Sequence, residues 1–337
     1  MHFKEYLFKF SFIYNFIPIK LLLRFSKKKT IFPFYHLIDD GTNNLVSHLY
    51  QSKTKKQFIE DVTFFKRHFI SISIEDLKLE TSTTNEYRFF LSFDDGLSNF
   101  YNVVAPILLK EKVFAINFLN TNFIENKALF YRYKVNILIS KMLENDFSVC
   151  IKIRICILLK LEVFNKKEVC NLLKKVSINE IDILERLSKI IKFSFSDFLK
   201  TQKPYLSQNQ ILKLVDKGFY FGAHSKNHPR YSQISLENQL NETLESIQQV
   251  KEKFNLKESY FSFPFSDDGV TEAFFYKIRN EKIVSFGSSG LKDEDITMHY
   301  QRIPMEYNSV YSAETIIKGE LVYYILKRIF GFHKSRR

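Results

Sequence analysis

The sequence predicts an α/β fold whose parallel sheet is closed, or nearly closed, into a barrel. Three observations carry that expectation. Short apolar, β-favouring runs alternate along the chain with segments of helical period. Two of the runs end abruptly in groups able to do chemistry, and folds of this kind collect such groups at the C-terminal ends of their strands. A chain of 337 residues with 45% hydrophobic content can bury one large core.

The elements follow in order. Residues 31–36, I-F-P-F-Y-H, read as the first strand, and residues 53–69 as a helix with Phe58, Val62 and Phe65 on one face. A short β-branched run at 70–74 precedes the strand at 88–96. Residues 103–109 read as a helix past Pro106 and 113–119 as the next strand. From about 125 to 203 the pattern changes to long helical periods rich in lysine, with Ser177 and Glu180 forming a capping box. This region reads as a helical insertion, either a lid or partner surface or a filler bundle. Ser207 with Gln210 caps a further helix that ends near Gly218. A strand at 219–222, a helix at 236–254 with Leu240, Leu244, Ile247 and Val250 inward, and strands at 260–265, 283–287 and 301–304 complete the series.

The chemistry concentrates at two strand ends. The run R-F-F-L-S-F-D-D-G, residues 88–96, closes in Asp94 and Asp95. Side chains alternate along a strand, so both acids cannot follow the pleat into the core, and Gly96 supplies the turn that lets both face one pocket. A hairpin turn is the plainer reading of D-D-G. The segment F-Y-F-G-A-H-S-K-N-H, residues 219–228, changes the balance, because His224 and His228 follow a second strand at a spacing of four. If that segment turned helically, both imidazoles would reach one ion.

Strand-D-D-G followed by strand-H-S-x-x-H resembles the first two motifs of the polysaccharide deacetylase family, carbohydrate esterase family 4, with its NodB-like fold. The matching residues are Ser92-Phe93-Asp94-Asp95-Gly96 and His224-Ser225-Lys226-Asn227-His228. The resemblance implies a distorted (β/α) barrel of about seven strands. It implies that Asp95, His224 and His228 bind a divalent metal, most simply Zn²⁺, that Asp94 is the general base, and that the backbone N–H of Phe265 helps hold an oxyanion. The family's third motif, R-x-P-[Y/F], is matched by Ser262-Phe263-Pro264-Phe265 except at its arginine. The D-x-x-D-W motif is missing, since the chain has no tryptophan, and no L-x-x-H motif is recognisable. His299 is the expected general acid as the one histidine in that region, and His36, at the Y-H that opens the family's catalytic domain, should point toward the same pocket. The implied reaction removes N-acetyl groups from an acetylated glycan or its lipid- or nucleotide-linked precursor. An O-acetyl or other amide substrate, or a decayed glycan-binding site, stays open.

Domain organisation is expected as a basic, aromatic N-terminal helical segment over 1–30, the barrel over 31–320 interrupted at 125–203, and a basic tail over 321–337. The net charge of +13 favours acidic partners. No nucleic-acid module is recognisable, whereas the basic, aromatic termini fit a peripheral contact with an anionic membrane. Cys150, Cys156 and Cys170 are odd in number, lack a C-x-x-C spacing and read as reduced core thiols. With no apolar run of about eighteen residues and no export signal in the N-terminal stretch, a cytoplasmic protein at or near the inner membrane face is expected.

Overall fold

The computed structural model describes residues 7–41, 45–78, 86–306 and 311–335. The first strand is broken at Phe32 into Thr30–Ile31 (β1) and Pro33–Tyr35 (β2). Ile70–Ser71 (β3) is short, and the acid-tipped strand is divided into Arg88–Phe89 (β4) and Leu91–Phe93 (β5). Ala115–Leu119 (β6), Tyr220–Ala223 (β7), Tyr260–Ser262 (β8) and Val284–Gly287 (β9) lie where the sequence places them. His299–Gln301 (β10) and Ile303–Pro304 (β11) end the series.

All pairings between these strands are parallel, and the main sheet has eight members in the order β10-β9-β8-β7-β6-β5-β2-β11. Its two outer members are consecutive in the chain, separated only by Arg302. The Arg302 N–H donates to Gly287 O on the β9 side at 3.3 Å, and the Ile303 N–H donates to Phe32 O on the β2 side at 2.8 Å. One strand, residues 299–304, therefore joins the last stave to the first. Counting β10 and β11 as one, the eight strands make a seven-staved parallel barrel, as the motif resemblance implies.

Strands flanked on both faces are mostly apolar, and A-I-N-F-L of β6 is buried at every position, Asn117 included. On the helix side of β2 and β5, Tyr35, Phe58, Phe93 and Phe100 form a continuous aromatic core with ring centroids 5.0 to 5.9 Å apart. Phe58 comes from the helix Lys55–His68, which opens on a Thr54/Gln57 capping box. The helix Leu236–Phe254 has the predicted bounds and buries Ile247 and Val250 as expected, with Leu240 packed beside them. Leu244 is exposed instead, while Gln239 and Thr243 are buried because they bond the carbonyl and hydroxyl of Tyr231.

Residues 125–203, between β6 and β7, form no strand, and their α-helices are Tyr131–Glu144, Val149–Leu159, Lys166–Lys175, Ile181–Ile190 and Phe195–Gln202. They share a core of their own, built on Leu138, Ile155, Leu173, Leu184 and Leu187. The Ser177/Glu180 capping box forms as expected. The cysteines are unpaired, but only Cys170 is buried. Cys150 is exposed because the first turn of Val149–Leu159 faces outward, so it is not a core thiol.

The short N-terminal helices Ser11–Asn15 and Ile19–Ser26 pack on the helix Ala313–Ile329. The boundary expected at 320 falls inside that last helix. Its N-terminus is fixed by a buried network in which Asp61 accepts from Lys53 Nζ at 2.5 Å, Tyr35 Oη at 2.9 Å and the Ala313 N–H at 2.7 Å. Among the described residues no helix is long and apolar enough to cross a membrane.

Candidate metal centre and catalytic pocket

The C-terminal ends of the strands open into a cavity of about 420 Å³. Asp94, Asp95, His224, His228 and Phe265 all line it, together with His36. Five of the six residues implied by the motifs thus meet in one place, and His299 does not.

The two acids part company through backbone conformation. Asp94 continues β5, its N–H donating to Tyr35 O at 3.0 Å, whereas Asp95 already adopts a left-handed φ of 71°. The turn therefore begins at Asp95 and continues through Gly96, whose own φ of 63° is the conformation expected of the glycine. A Cβ there would in addition lie 2.9 Å from Leu119 Cδ2.

The histidines do not sit on a helical turn. Ser225 and His228 take φ values of 64° and 56°, and the loop between them is held from below by Glu242, whose Oε2 accepts from the N–H groups of Lys226 and Asn227. His228 N donates to Ser225 Oγ at 2.9 Å. This tight loop, not helical spacing, brings both rings to Asp95. Phe265 also has a left-handed φ, 59°. Three pocket-lining residues, Asp95, His228 and Phe265, with Ser225 beside them, in this sparsely populated region mark a site whose geometry the surrounding packing imposes.

The donor set fits a divalent cation. His224 Nε2 and His228 Nε2 lie 3.6 and 3.3 Å from Asp95 Oδ1. That oxygen is buried without a hydrogen-bond partner among the described residues. The ring of His224 is oriented from behind, because its Nδ1 stands 2.8 Å from Ser262 O, and a carbonyl only accepts. Nδ1 thus carries the proton and Nε2 offers its lone pair to the pocket, the usual arrangement of a ligating histidine. Burial holds the His224 pKa down to about 4, which keeps the ring in its neutral, ligating form. Burial works to raise the Asp95 pKa, but the His228, His36 and His224 imidazoles outweigh it and hold the carboxyl below its usual range.

The other Asp95 oxygen is held by the insertion. Tyr133 Oη, from helix Tyr131–Glu144, donates to Asp95 Oδ2 at 2.5 Å. Phe130 packs on the His228 ring with centroids 4.3 Å apart, and Phe265 packs edge-on to the same ring at 4.6 Å. The insertion is accordingly part of the pocket wall. Nothing in its helical periodicity identified Tyr133, because period assigns faces and not distant partners.

Asp94 is gripped by an arginine that does not come from the third motif. Arg302 Nη1 and Nη2 donate to Asp94 Oδ1 and Oδ2 at 2.8 and 2.7 Å, a two-pronged pair. The same guanidinium donates to Ser92 Oγ at 3.1 Å, Ser262 Oγ at 2.5 Å and Gly287 O at 3.0 Å, and it lies over the Phe34 ring at 4.2 Å. Ser262, standing where the family has its arginine, leaves room for a side chain arriving from the strand that closes the barrel. Burial opposes ionisation of Asp94, yet Arg302 prevails and holds it ionised below its ordinary pKa.

His299 is excluded from this pocket by the pleat. Along residues 299–302, Tyr300 and Arg302 point into the barrel, where Tyr300 stacks on Phe32. His299 points the other way, between Phe263 and the Phe275 ring of the surrounding helix layer, and its Nε2 lies 3.2 Å from Asp267 Oδ2. The general acid expected at His299 is therefore not there.

His36 faces the pocket instead, with its side chain about a quarter exposed. Buried Glu306 clamps it, accepting from His36 Nδ1 at 2.6 Å and from the N–H groups of His36 and Leu37 at 2.9 and 3.0 Å. Burial disfavours the imidazolium, but Glu306 overrides it and lifts the His36 pKa to about 9.

A parallel seven-staved barrel with paired acids and two histidines at its mouth defines the NodB-like class. The resemblance to the polysaccharide deacetylases holds beyond the motifs, since residues 181–278 match the polysaccharide deacetylase family profile, a span that includes His224, His228 and Phe265. The fold is shared with solved structures of low identity. The Streptococcus pyogenes deacetylase PplD, solved in complex with acetate, is similar at TM-score 0.54 and 14% identity, covering 87% of this chain and 98% of that one. A polysaccharide deacetylase from Bacillus cereus is similar at 0.54 and 13%, covering 87% and 69%, and IcaB from Ammonifex degensii at 0.53 and 12%, covering 87% and 97%. No protein of curated function matches the chain.

Proposed function

We propose that this protein is a metal-dependent hydrolase that removes N-acetyl groups from a glycan or its lipid- or nucleotide-linked precursor. The observation that carries the reading is the convergence of Asp95, His224 and His228 on one point beside an Asp94 kept ionised by Arg302. One carboxylate and two imidazoles suit Zn²⁺ and leave positions for water and substrate. A divalent ion held there would polarise an acyl carbonyl and bring the pKa of water toward neutrality.

The chain supplies the remaining steps. Asp94 accepts the proton of the attacking water, and its fixed carboxylate aims that water. The N–H of Phe265, a residue that lines the pocket and whose N–H donates to no protein acceptor among the described residues, would be the donor for the oxyanion. His36, protonated below about pH 9, delivers a proton to the departing amine in the role first expected of His299. Phe34, Leu49, Tyr50 and Pro304 give the cavity an apolar wall for the acyl methyl and sugar ring.

Membrane contact through the termini belongs to the same reading. Phe12, Phe16 and Phe25 on the N-terminal helices and Ile329, Phe330 and Phe332 at the end of the chain's last helix are all more than half exposed, among Lys9, Lys20, Arg24, Lys327 and Arg328. Aromatic and basic groups together favour an anionic lipid surface, which suits a lipid-linked substrate.

The test is acetate release by zinc-loaded protein from a panel of N-acetylated and O-acetylated oligosaccharides and lipid-linked sugars. Release from an N-acetylated member is expected, with Asp95→Ala losing both metal and turnover and Asp94→Asn keeping metal without turnover. A fully active Asp94→Asn protein would overturn the assignment of the base.

A further inference from the structure

The histidine left out of the pocket belongs to a second constellation. His299 on β10, Asp267 in the turn after β8 and Glu294 in the loop after β9 bring three ligand-type atoms within 4.8 Å of one another. His299 Nε2 lies 3.2 Å from Asp267 Oδ2 and 3.7 Å from Glu294 Oε2. The corresponding separations in the catalytic set, from Asp95 Oδ1 to the two imidazoles, are 3.3 and 3.6 Å. Ligands about 2.0–2.2 Å from a tetrahedral ion stand roughly 3.3–3.6 Å apart, so both clusters have the edge lengths of a coordination polyhedron.

A fourth group stands at one corner of the cluster, closer than a coordination edge. The Gln301 carboxamide nitrogen sits 2.7 Å from Asp267 Oδ2, 3.1 Å from Glu294 Oε2 and 3.1 Å from His299 Nε2. Its two hydrogens face the Asp267 and Glu294 oxygens while His299 Nε2 crowds the same nitrogen, an arrangement that a cation would satisfy more fully. Turning the carboxamide over places its oxygen at that corner, in exchange for the bond it now accepts from Ser289 N.

The surroundings are built as for a ligand set. Asp267, His299 and Gln301 are almost wholly buried. His299 Nδ1 is paired with Ser285 Oγ at 2.8 Å, which fixes the ring with Nε2 toward the carboxylates. Gly287 makes the approach possible, since a Cβ there would lie 2.5 Å from Asp267 Oδ1 and 2.6 Å from Gln301 Oε1. A separate cavity of about 420 Å³, lined by Glu294, His299 and Gln301, gives an ion its way in.

We propose that Asp267, Glu294, His299 and Gln301 form a second divalent-metal site, distinct from the catalytic one and structural in purpose. Asp267 lies two residues beyond Phe265, and Ser288 joins them, its Oγ donating to Phe265 O at 2.8 Å and its N–H to Asp267 Oδ1 at 3.3 Å. An ion here fixes the turn that carries the Phe265 amide. The site stands whether or not the proposed reaction does.

Zinc content of the full chain after loading and desalting decides it. Two ions per chain are expected in the unaltered protein, one in Asp95→Ala, one in Glu294→Gln, and none when both changes are combined. His299→Gln, which keeps a hydrogen-bonding group opposite Ser285, repeats the measurement if Glu294→Gln does not fold. A single ion that Asp95→Ala removes and Glu294→Gln retains would overturn the second site and leave the catalytic reading intact. A single ion with the reverse response would sink the catalytic reading instead.

Discussion

Arg302 shows how much one side chain decides. Its two-pronged grip on Asp94 is fully buried, so removing it leaves a carboxylate in the core without a counter-charge. Arg302→Ala is expected to cost about 3–5 kcal/mol of stability in denaturant titrations. Arg302→Lys substitutes a point charge for the fork and loosens the hold that depresses the Asp94 pKa. The acidic limb of kcat/KM should then move to higher pH, since the base protonates sooner as pH falls. His36 runs the other way. Its pKa is raised from 6.5 to about 9, so the Glu306 pair stabilises the fold below pH 6.5, and that contribution disappears as pH rises through about 9. Activity is expected to decline over the same upper range, and His36→Gln should lower kcat and abolish the decline; an unchanged basic limb would remove His36 from the reaction. The grouping of Asp95, His224 and His228 was legible because they lie in two ungapped motifs. Arg302 was visible in Q-R-I-P only as part of a strand. An arginine amid the apolar residues of a buried strand is itself a signal, because such a side chain is seldom buried without a partner, but which acid it pairs with is a matter of three-dimensional closure.

At the scale of elements, helix Tyr131–Glu144 matters most for the site. Tyr133→Phe keeps the packing and deletes only the donor to Asp95 Oδ2. Zinc affinity should weaken by about 10- to 100-fold, as when other outer supports of a ligand are lost, and a competition titration against a chelator would measure it. Unchanged affinity would reduce the helix to a wall. Sequence periodicity found this helical region and its Ser177/Glu180 cap, yet left open whether it was lid or filler, because the contact joins residues far apart in the chain. The loop of His224 and His228 failed differently. A spacing of four is shared by helices and by turns with left-handed residues, and the presence of Glu242 beneath the loop could not be foreseen. Strand β5 offers a stability test. Phe93 is fully buried against Tyr35, Phe58 and Phe100, and Phe93→Ala should destabilise by about 3–5 kcal/mol in the same titration.

For the molecule as a whole, the barrel places chemistry at one end, while the exposed aromatics gather on the packed terminal helices. The charge of +13 then predicts binding to phosphatidylglycerol vesicles that weakens with salt. Replacing Phe16 and Phe25 by serine should release the protein from vesicles in a sedimentation assay without altering its folded core, since both rings are exposed. Sedimentation unchanged by salt and by the substitutions would discard the membrane contact. The alternation of strands and helices announced the barrel and a last strand at 301–304, but not that this strand begins at His299 and pairs with both β9 and β2, because pattern does not name a strand's neighbours. That seam has a further meaning. Residues 299–304 lock the cylinder shut, and the arginine at their midpoint grips Asp94, so on the proposed mechanism a newly made chain is inert until its final stave is seated. The proposed activity would then report completed folding: amide exchange at Ile303 and Met305 should slow in step with the appearance of activity during refolding, neither preceding the other.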